Sequence, residues 1–283
     1  EKKINGGLKY LVDEVNKLGM KFGIWFEPEM ISEDSELYRA HPDWCLHVEG
    51  REHCECRHQY VIDMSRPEVV DNIYDQMCAV LSSCEIDYLK WDFNRNLSEA
   101  GSGPLPAERS KEFFHRFVLG TYDLMNRLTT AFPDLLLENC SGGGGRFDPA
   151  LLYYFTQVWT SDDTDAYMRT RIQYGTSLVY PLSTQSCHTS ICPNHQTGRI
   201  TPFDSRADIA HLGPTGYELD TEKMTEEERN AVSRQVAAFK EMEHLVLHGD
   251  LYRMENPYNS NYFAVNVVSK DKSEAVTTAF RAL

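Results

Sequence analysis

Helix-like and strand-like patterns of apolar residues take turns along this chain. An amphipathic stretch, 8–18, stops at Gly19, and 21–26 then reads as a strand. Strand-like runs recur at 60–64, 86–92, 135–139, 157–161, 177–182 and 213–219, with helical patterns at 67–82, 107–130, 165–175, 203–210 and 226–248. This order predicts a parallel sheet whose strands are joined by crossover helices. After 248 the pattern changes. Segments 250–253 and 262–280 read as antiparallel strands that begin a second, β-sandwich domain.

Carboxylates sit where buried strands open into loops. The run Ile86-Asp87-Tyr88-Leu89 leads into Lys90-Trp91-Asp92-Phe93-Asn94-Arg95, and Val158-Trp159-Thr160-Ser161 leads into Asp162-Asp163. Two carboxylates from two strand ends point to acid/base or nucleophilic work on one substrate, because one can stay ionised while the other keeps a proton. Between them, after the strand Leu135-Leu136-Leu137-Glu138-Asn139, lies Cys140-Ser141-Gly142-Gly143-Gly144-Gly145-Arg146. Such a glycine run lets a substrate approach the backbone closely. It lacks the Lys-Ser or Lys-Thr pair of a phosphate cradle. Glu27 and Glu29 also end a strand but share one face of it, too close in sequence to flank a bond from opposite sides.

Active residues at successive strand ends fit a (β/α)8 barrel, whose chemistry collects at the C-terminal ends of its strands. Seven strands do not close such a barrel. The expected organisation is an incomplete barrel over 1–248, its first strand lying before Glu1, and the start of a C-terminal β-sandwich over 249–283.

Composition narrows the partners. With 283 residues and 41% hydrophobic content the chain can bury a sizeable core. A formal charge of −15, with no basic run, opposes nucleic acid and anionic membrane surfaces, whereas neutral sugars fit. No apolar segment approaches the roughly 20 residues that span a bilayer, and Glu1 to Asn5 do not read as a signal peptide. Several of the eight cysteines, such as Cys78, Cys84 and Cys140, lie in helical or strand-like contexts, which favours reduced thiols and a cytoplasmic location. Two groups raise a metal question: His53, Cys54, Cys56 and His58, and Cys187, His188, Cys192 and His195. Neither has the paired Cys-x2-Cys spacing of structural zinc modules. A loop held by Asn194, His195 and Gln196 is the alternative for the second group. No metal and no cofactor is expected.

Five segments together, WFEPEM (25–30), KWDFNR (90–95), ENCSGGGGRFDP (138–149), WTSDDTDA (159–166) and PNHQTGR (193–199), resemble the bacterial α-galactosidases of glycoside hydrolase family 36. The resemblance covers nearly the whole chain. It implies cleavage of terminal α-linked galactose from raffinose, melibiose and related oligosaccharides, with retention of configuration. It further implies Asp92 as the nucleophile that forms a covalent glycosyl-enzyme, and Asp162 as the acid and then the base. Asp163 is the rival for the second role. Trp25, Arg57, Lys90, Asn94, Cys140, Gly142 and Gly143 fall at positions where the family binds sugar. Trp25 is read as an apolar wall, Arg57 as a forked donor, Lys90 as a cation that helps keep Asp92 ionised, and Asn94 as a contact for the 2-hydroxyl. Cys140, Gly142 and Gly143 are read as a floor under the ring. The family also implies a homotetramer, an N-terminal β-sandwich and an acidic pair on the first strand. Raffinose- and stachyose-forming galactosyltransferases, an α-N-acetylgalactosaminidase and a non-catalytic sugar-binding barrel remain alternatives.

Overall fold

A computed structural model describes residues 3–282. Glu1, Lys2 and Leu283 lie outside the described residues, and with them the outer bounds of the two expected domains. The chain divides into two compact units, Glu1–Gly142 and Gly143–Leu283.

The first unit contains α1 (Gly7–Lys17), β1 (Gly23–Phe26), β2 (Met30–Ile31), α2 (Glu36–Ala40), β3 (Tyr60–Val61), α3 (Pro67–Leu81), β4 (Tyr88–Trp91), α4 (Phe113–Ala131) and β5 (Leu136–Asn139). Strands β1, β4 and β5 run parallel in that order, with Trp25 opposite Lys90 and Lys90 opposite Glu138. One row further, Phe26, Trp91 and Asn139 are level, so the next residues, Glu27, Asp92 and Cys140, meet at the C-terminal rim. Pro at the first position and Glu68 in the first turn start α3 favourably. The α4 face that carries Phe113, Phe117, Thr121, Leu124, Met125 and Leu128 is buried at helical spacing. Each such large apolar side chain contributes roughly 1.5–3 kcal/mol.

The strand expected at 60–64 exists only as Tyr60–Val61. It pairs antiparallel with Met30–Ile31 and not with the parallel strands. Both partners are short, and the loop before β3 returns it to the segment that leaves β1.

At the junction of the units, α5 (Ser141–Gly144) is a single turn in which all four residues have positive φ: 63°, 61°, 77° and 84°. A left-handed turn costs an ordinary L-residue about 1–2 kcal/mol per position, which explains the glycines.

The second unit contains β6 (Gln157–Trp159), α6 (Ala166–Thr176), β7 (Gln185–Ser190), α7 (Phe203–Ala210), β8 (Thr215–Glu218), α8 (Glu226–His248), β9 (Asp250–Glu255), β10 (Tyr262–Val268) and β11 (Ala275–Arg281). Strands β6, β7 and β8 are parallel, while β9, β10 and β11 form an antiparallel sheet with β10 in the centre. A reciprocal capping box between Thr225 and Glu228 opens α8, and three glutamates in its first turn oppose the helix dipole. Phe239, Leu245 and Val246 of α8 pack with Leu182 and Val267, while Phe263 and Val265 pack with Ile209 and Leu212.

The strand expected at 177–182 is not formed. That segment is a helix end and turn, and the strand comes later, at Gln185–Ser190.

Candidate active site

In the first unit the candidate site is built from the rim of β1, β4 and β5. Asp92 is 6% exposed and its carboxylate is ringed by donors. Its Oδ1 accepts from the backbone N–H of Phe93 (2.8 Å) and of Gly142 (3.0 Å); its Oδ2 accepts from Asn94 Nδ2 (2.6 Å) and Trp25 Nε1 (3.2 Å). Burial alone would raise the acid's pKa. The Gly142 N–H, the Asn94 amide, the Cys140 thiol and the Trp25 indole outweigh it and hold the group below the ordinary aspartate value. Asp92 is therefore an anion at neutral pH.

Lys90 lies one row below on the same face, and its Nζ stands 3.0 Å from Glu138 Oε1. Tyr88 donates its hydroxyl to the other oxygen of Glu138. The lysine charge is thus shared between Glu138 and Asp92, and acts beside the donors around Asp92. Glu27 orients the rest: Asn94 Nδ2 donates to its Oε1 and Gln59 Nε2 to its Oε2 (3.2 Å), with Arg57 Nη1 3.9 Å away. Arg57 is solvent-open and has φ 56°, a strained value of a kind that gathers at functional loops. Trp25 is 47% exposed, so its indole bonds Asp92 while a ring face stays open. Glu29 points elsewhere, fully buried, and accepts from Trp91 Nε1 at 2.9 Å.

Removing the Asn94 amide withdraws a donor from the ionised form only, so Asn94→Ala is expected to raise the Asp92 pKa. The acid limb of the kcat/KM profile of the full-length enzyme then moves to higher pH. An unmoved limb with a lower plateau would show that Asn94 serves binding alone.

In the second unit the loop after β6 carries the acidic pair, and the two members face differently. Asp162 is exposed, and its Oδ1 accepts from Trp159 Nε1 at 2.8 Å. Asp163 turns back to the chain, its Oδ1 accepting from the Asp165 N–H at 3.1 Å. Arg169, only 3% exposed, clamps this loop. Its Nε donates to the Asp163 carbonyl (2.7 Å), its Nη1 to Thr160 Oγ1 (2.9 Å) and its Nη2 to the Ser161 carbonyl, while its guanidinium lies 4.6 Å over the Trp159 ring. Arg169 was not singled out from the sequence; only its place ten residues after a strand-end tryptophan could have drawn notice.

Gly143 has no room for a side chain. A Cβ there would come within 2.5 Å of the Asp162 nitrogen and 2.8 Å of its carboxyl carbon, and φ is +77°. Gly143→Ala is expected to displace Asp162 and lower kcat on the order of 100-fold. Kinetics read beside circular dichroism will check this; unchanged kcat would show that the loop yields without moving Asp162. At Gly142 a Cβ would meet only ordinary contacts, at 3.7 Å, with Phe93 and Asn94.

Among the described residues, neither group about which the sequence raised a metal question comes together as three or more potential ligands. Cys54 and Cys56 are exposed, and His58 Nδ1 pairs with Glu55 at 3.0 Å. Cys187 is wholly buried, which pushes its thiol up to about 12. In the second group's loop, Asn194 and Gln196 bond Thr164 through its hydroxyl (3.1 Å) and its N–H (3.1 Å). No disulfide joins the cysteines.

Parallel strands alternating with helices, and carboxylates at their C-terminal ends, define the class of (β/α)8-barrel enzymes. The melibiase family model matches residues 1–249, and the chain belongs to that family. It is 51% identical to the α-galactosidase AgaA of Geobacillus stearothermophilus, covering 100% of this chain and 39% of that protein. It is 50% identical to the α-galactosidase Mel36A of Lactobacillus acidophilus, covering 100% and 38%. The crystal structure of the family 36 enzyme AgaA superposes with a TM-score of 0.98 over 100% of this chain and 39% of that one. A variant of AgaA in complex with raffinose gives 0.97 at 50% identity, over 99% and 39%. The chain thus spans less than half the length of these relatives.

Proposed function

We propose that the protein containing this chain is a retaining α-galactosidase that releases terminal α-linked galactose from oligosaccharides of the raffinose and melibiose type. The observation that carries this is Asp92: a sheltered carboxylate at a parallel-strand end, kept ionised by directed donors and bordered by an open tryptophan face. Asp92 attacks the anomeric carbon and forms a covalent galactosyl-enzyme. Asp162, open to solvent on its clamped loop, protonates the departing oxygen and then takes a proton from water. Trp25, Arg57, Lys90, Asn94, Cys140, Gly142 and Gly143 hold the sugar. The relatives named α-galactosidase, and one solved with raffinose, support the substrate class.

The same reading takes 1–248 as the catalytic barrel and 249–283 as the first strands of a C-terminal β domain, in a homotetramer. No described helix is long and apolar enough to cross a membrane. The cysteines, none of them in a disulfide, support a cytoplasmic site of action. The test is hydrolysis by the full-length protein of an aryl α-galactoside beside the aryl α-glucoside and α-N-acetylgalactosaminide. Galactoside preference with a first-formed product of α configuration is expected. Preference for the acetamido sugar, or transfer to a sugar in place of water, would move the protein to one of its sister activities.

A further inference from the structure

His53 does not join the cysteines beside it in sequence; it meets His47 and Glu99. One potential ligand atom from each of the three lies within 4.8 Å of the other two. The imidazoles of His47 and His53 are stacked nearly parallel, centroids 4.2 Å apart and planes at 13°. Two atoms of the group are sheltered from solvent and make no hydrogen bond: Nδ1 of His47 and Oε1 of Glu99. A buried polar atom without a partner costs about 1–3 kcal/mol, and here two of them belong to members of one cluster.

We propose that His47, His53 and Glu99 form a binding site for one divalent transition-metal ion of the zinc type. Two neutral imidazoles and one carboxylate carry a net charge of −1, which a divalent cation more than offsets. Imidazole nitrogen suits zinc and its neighbours, whereas magnesium and calcium require oxygen ligands throughout. Around zinc, ligand atoms at about 2.0–2.2 Å from the metal stand roughly 3.4 Å from one another and each imidazole lone pair lies in its ring plane, so a bound ion turns the His53 ring out of its stack on His47 as the group closes by about an ångström. Water fills the fourth position.

The place gives the ion a task. His47 and His53 belong to the loop that carries Arg57, and Glu99 to the long loop that follows Asp92 and Asn94. These loops already touch on either side of the group. The His47 N–H donates to the Gly101 carbonyl (3.2 Å), Arg95 Nη1 donates to the Cys54 carbonyl (2.6 Å), and a Cβ at Gly101 would stand 2.4 Å from the His47 oxygen. A metal staple between the contacts holds the Arg57 loop against the loop of the nucleophile strand.

The test uses the full-length protein, dialysed against chelator and titrated with zinc chloride by calorimetry, with elemental analysis after removal of excess. One zinc per chain is expected, with a higher melting temperature, and no binding of magnesium at the same concentration. Glu99→Gln and His53→Ala are expected to lose the bound equivalent or weaken it at least tenfold and to abolish the thermal shift. Circular dichroism confirms that each variant is folded, and Cys54→Ser/Cys56→Ser keeps the zinc. Absence of stoichiometric zinc, undiminished zinc in both Glu99→Gln and His53→Ala, or its loss in the cysteine variant would each overturn the assignment.

Discussion

Asp92→Ala in the full-length enzyme is expected to lower kcat on an aryl α-galactoside on the order of a millionfold, the scale reached when the nucleophile of a covalent mechanism is removed. The loss is chemical and not a matter of affinity, since the ring face of Trp25 and the Arg57 guanidinium remain. The vacated space is lined by donors: the N–H groups of Phe93 and Gly142, the Asn94 amide and the Trp25 indole. A small anion such as azide or formate can bond there and attack the anomeric carbon directly. Added azide is therefore expected to restore part of the turnover and to yield the β-galactosyl azide, inverted because only one displacement has occurred. Those unpaired donors also cost stability, so the melting temperature is read beside the kinetics. A variant that is folded and keeps a tenth of wild-type activity would place the nucleophile elsewhere.

Asp162→Ala is expected to separate substrates by leaving group. A dinitrophenyl galactoside needs little protonation and forms the glycosyl-enzyme at near its usual rate, while raffinose slows by about 100- to 10,000-fold. The second step then limits turnover, because no base activates water. Azide relieves it and gives the α-galactosyl azide, opposite in configuration to the product of the Asp92 variant. Asp163→Ala is the control. Its carboxylate accepts from the Asp165 N–H, and its carbonyl is held by Arg169, so it is expected to affect the loop more than the chemistry. Azide rescue of Asp163→Ala together with normal activity of Asp162→Ala would move the acid by one residue.

Helices were the more legible part of the fold. The pattern at 226–248 coincides with α8 and that at 203–210 with α7, since apolar periodicity and, for α8, the Thr225–Glu228 box are local signals. Strand β7 shows where such signals fail. Gln185, Ser186, Thr189 and Ser190 are buried although polar, whereas Leu178 and Val179, on which the strand was expected, are 65% and 53% exposed. A strand satisfied by polar contacts carries no apolar pattern to read. The site divides in the same way. Asp92 and Asp162 announce themselves at strand ends, but their supports do not. Glu27 orients Asn94 from 67 residues away, and Arg169 reaches back around the loop of Asp162; neither relation is encoded in local spacing.

The left-handed turn at Ser141–Gly144 limits how this sequence can diversify. A saturation library across the turn would be almost empty of active clones: a side chain at Gly143 strikes Asp162, one at Gly144 comes within 2.6 Å of the Thr160 carbonyl, and every position has positive φ. New tolerance for a substituent on the sugar is expected instead in the solvent-exposed segment 51–56, where no residue has positive φ. There side chains can be exchanged without asking the backbone to rewind, and a laboratory lineage selected for a bulkier substrate should accumulate its changes in that segment and leave the glycines untouched.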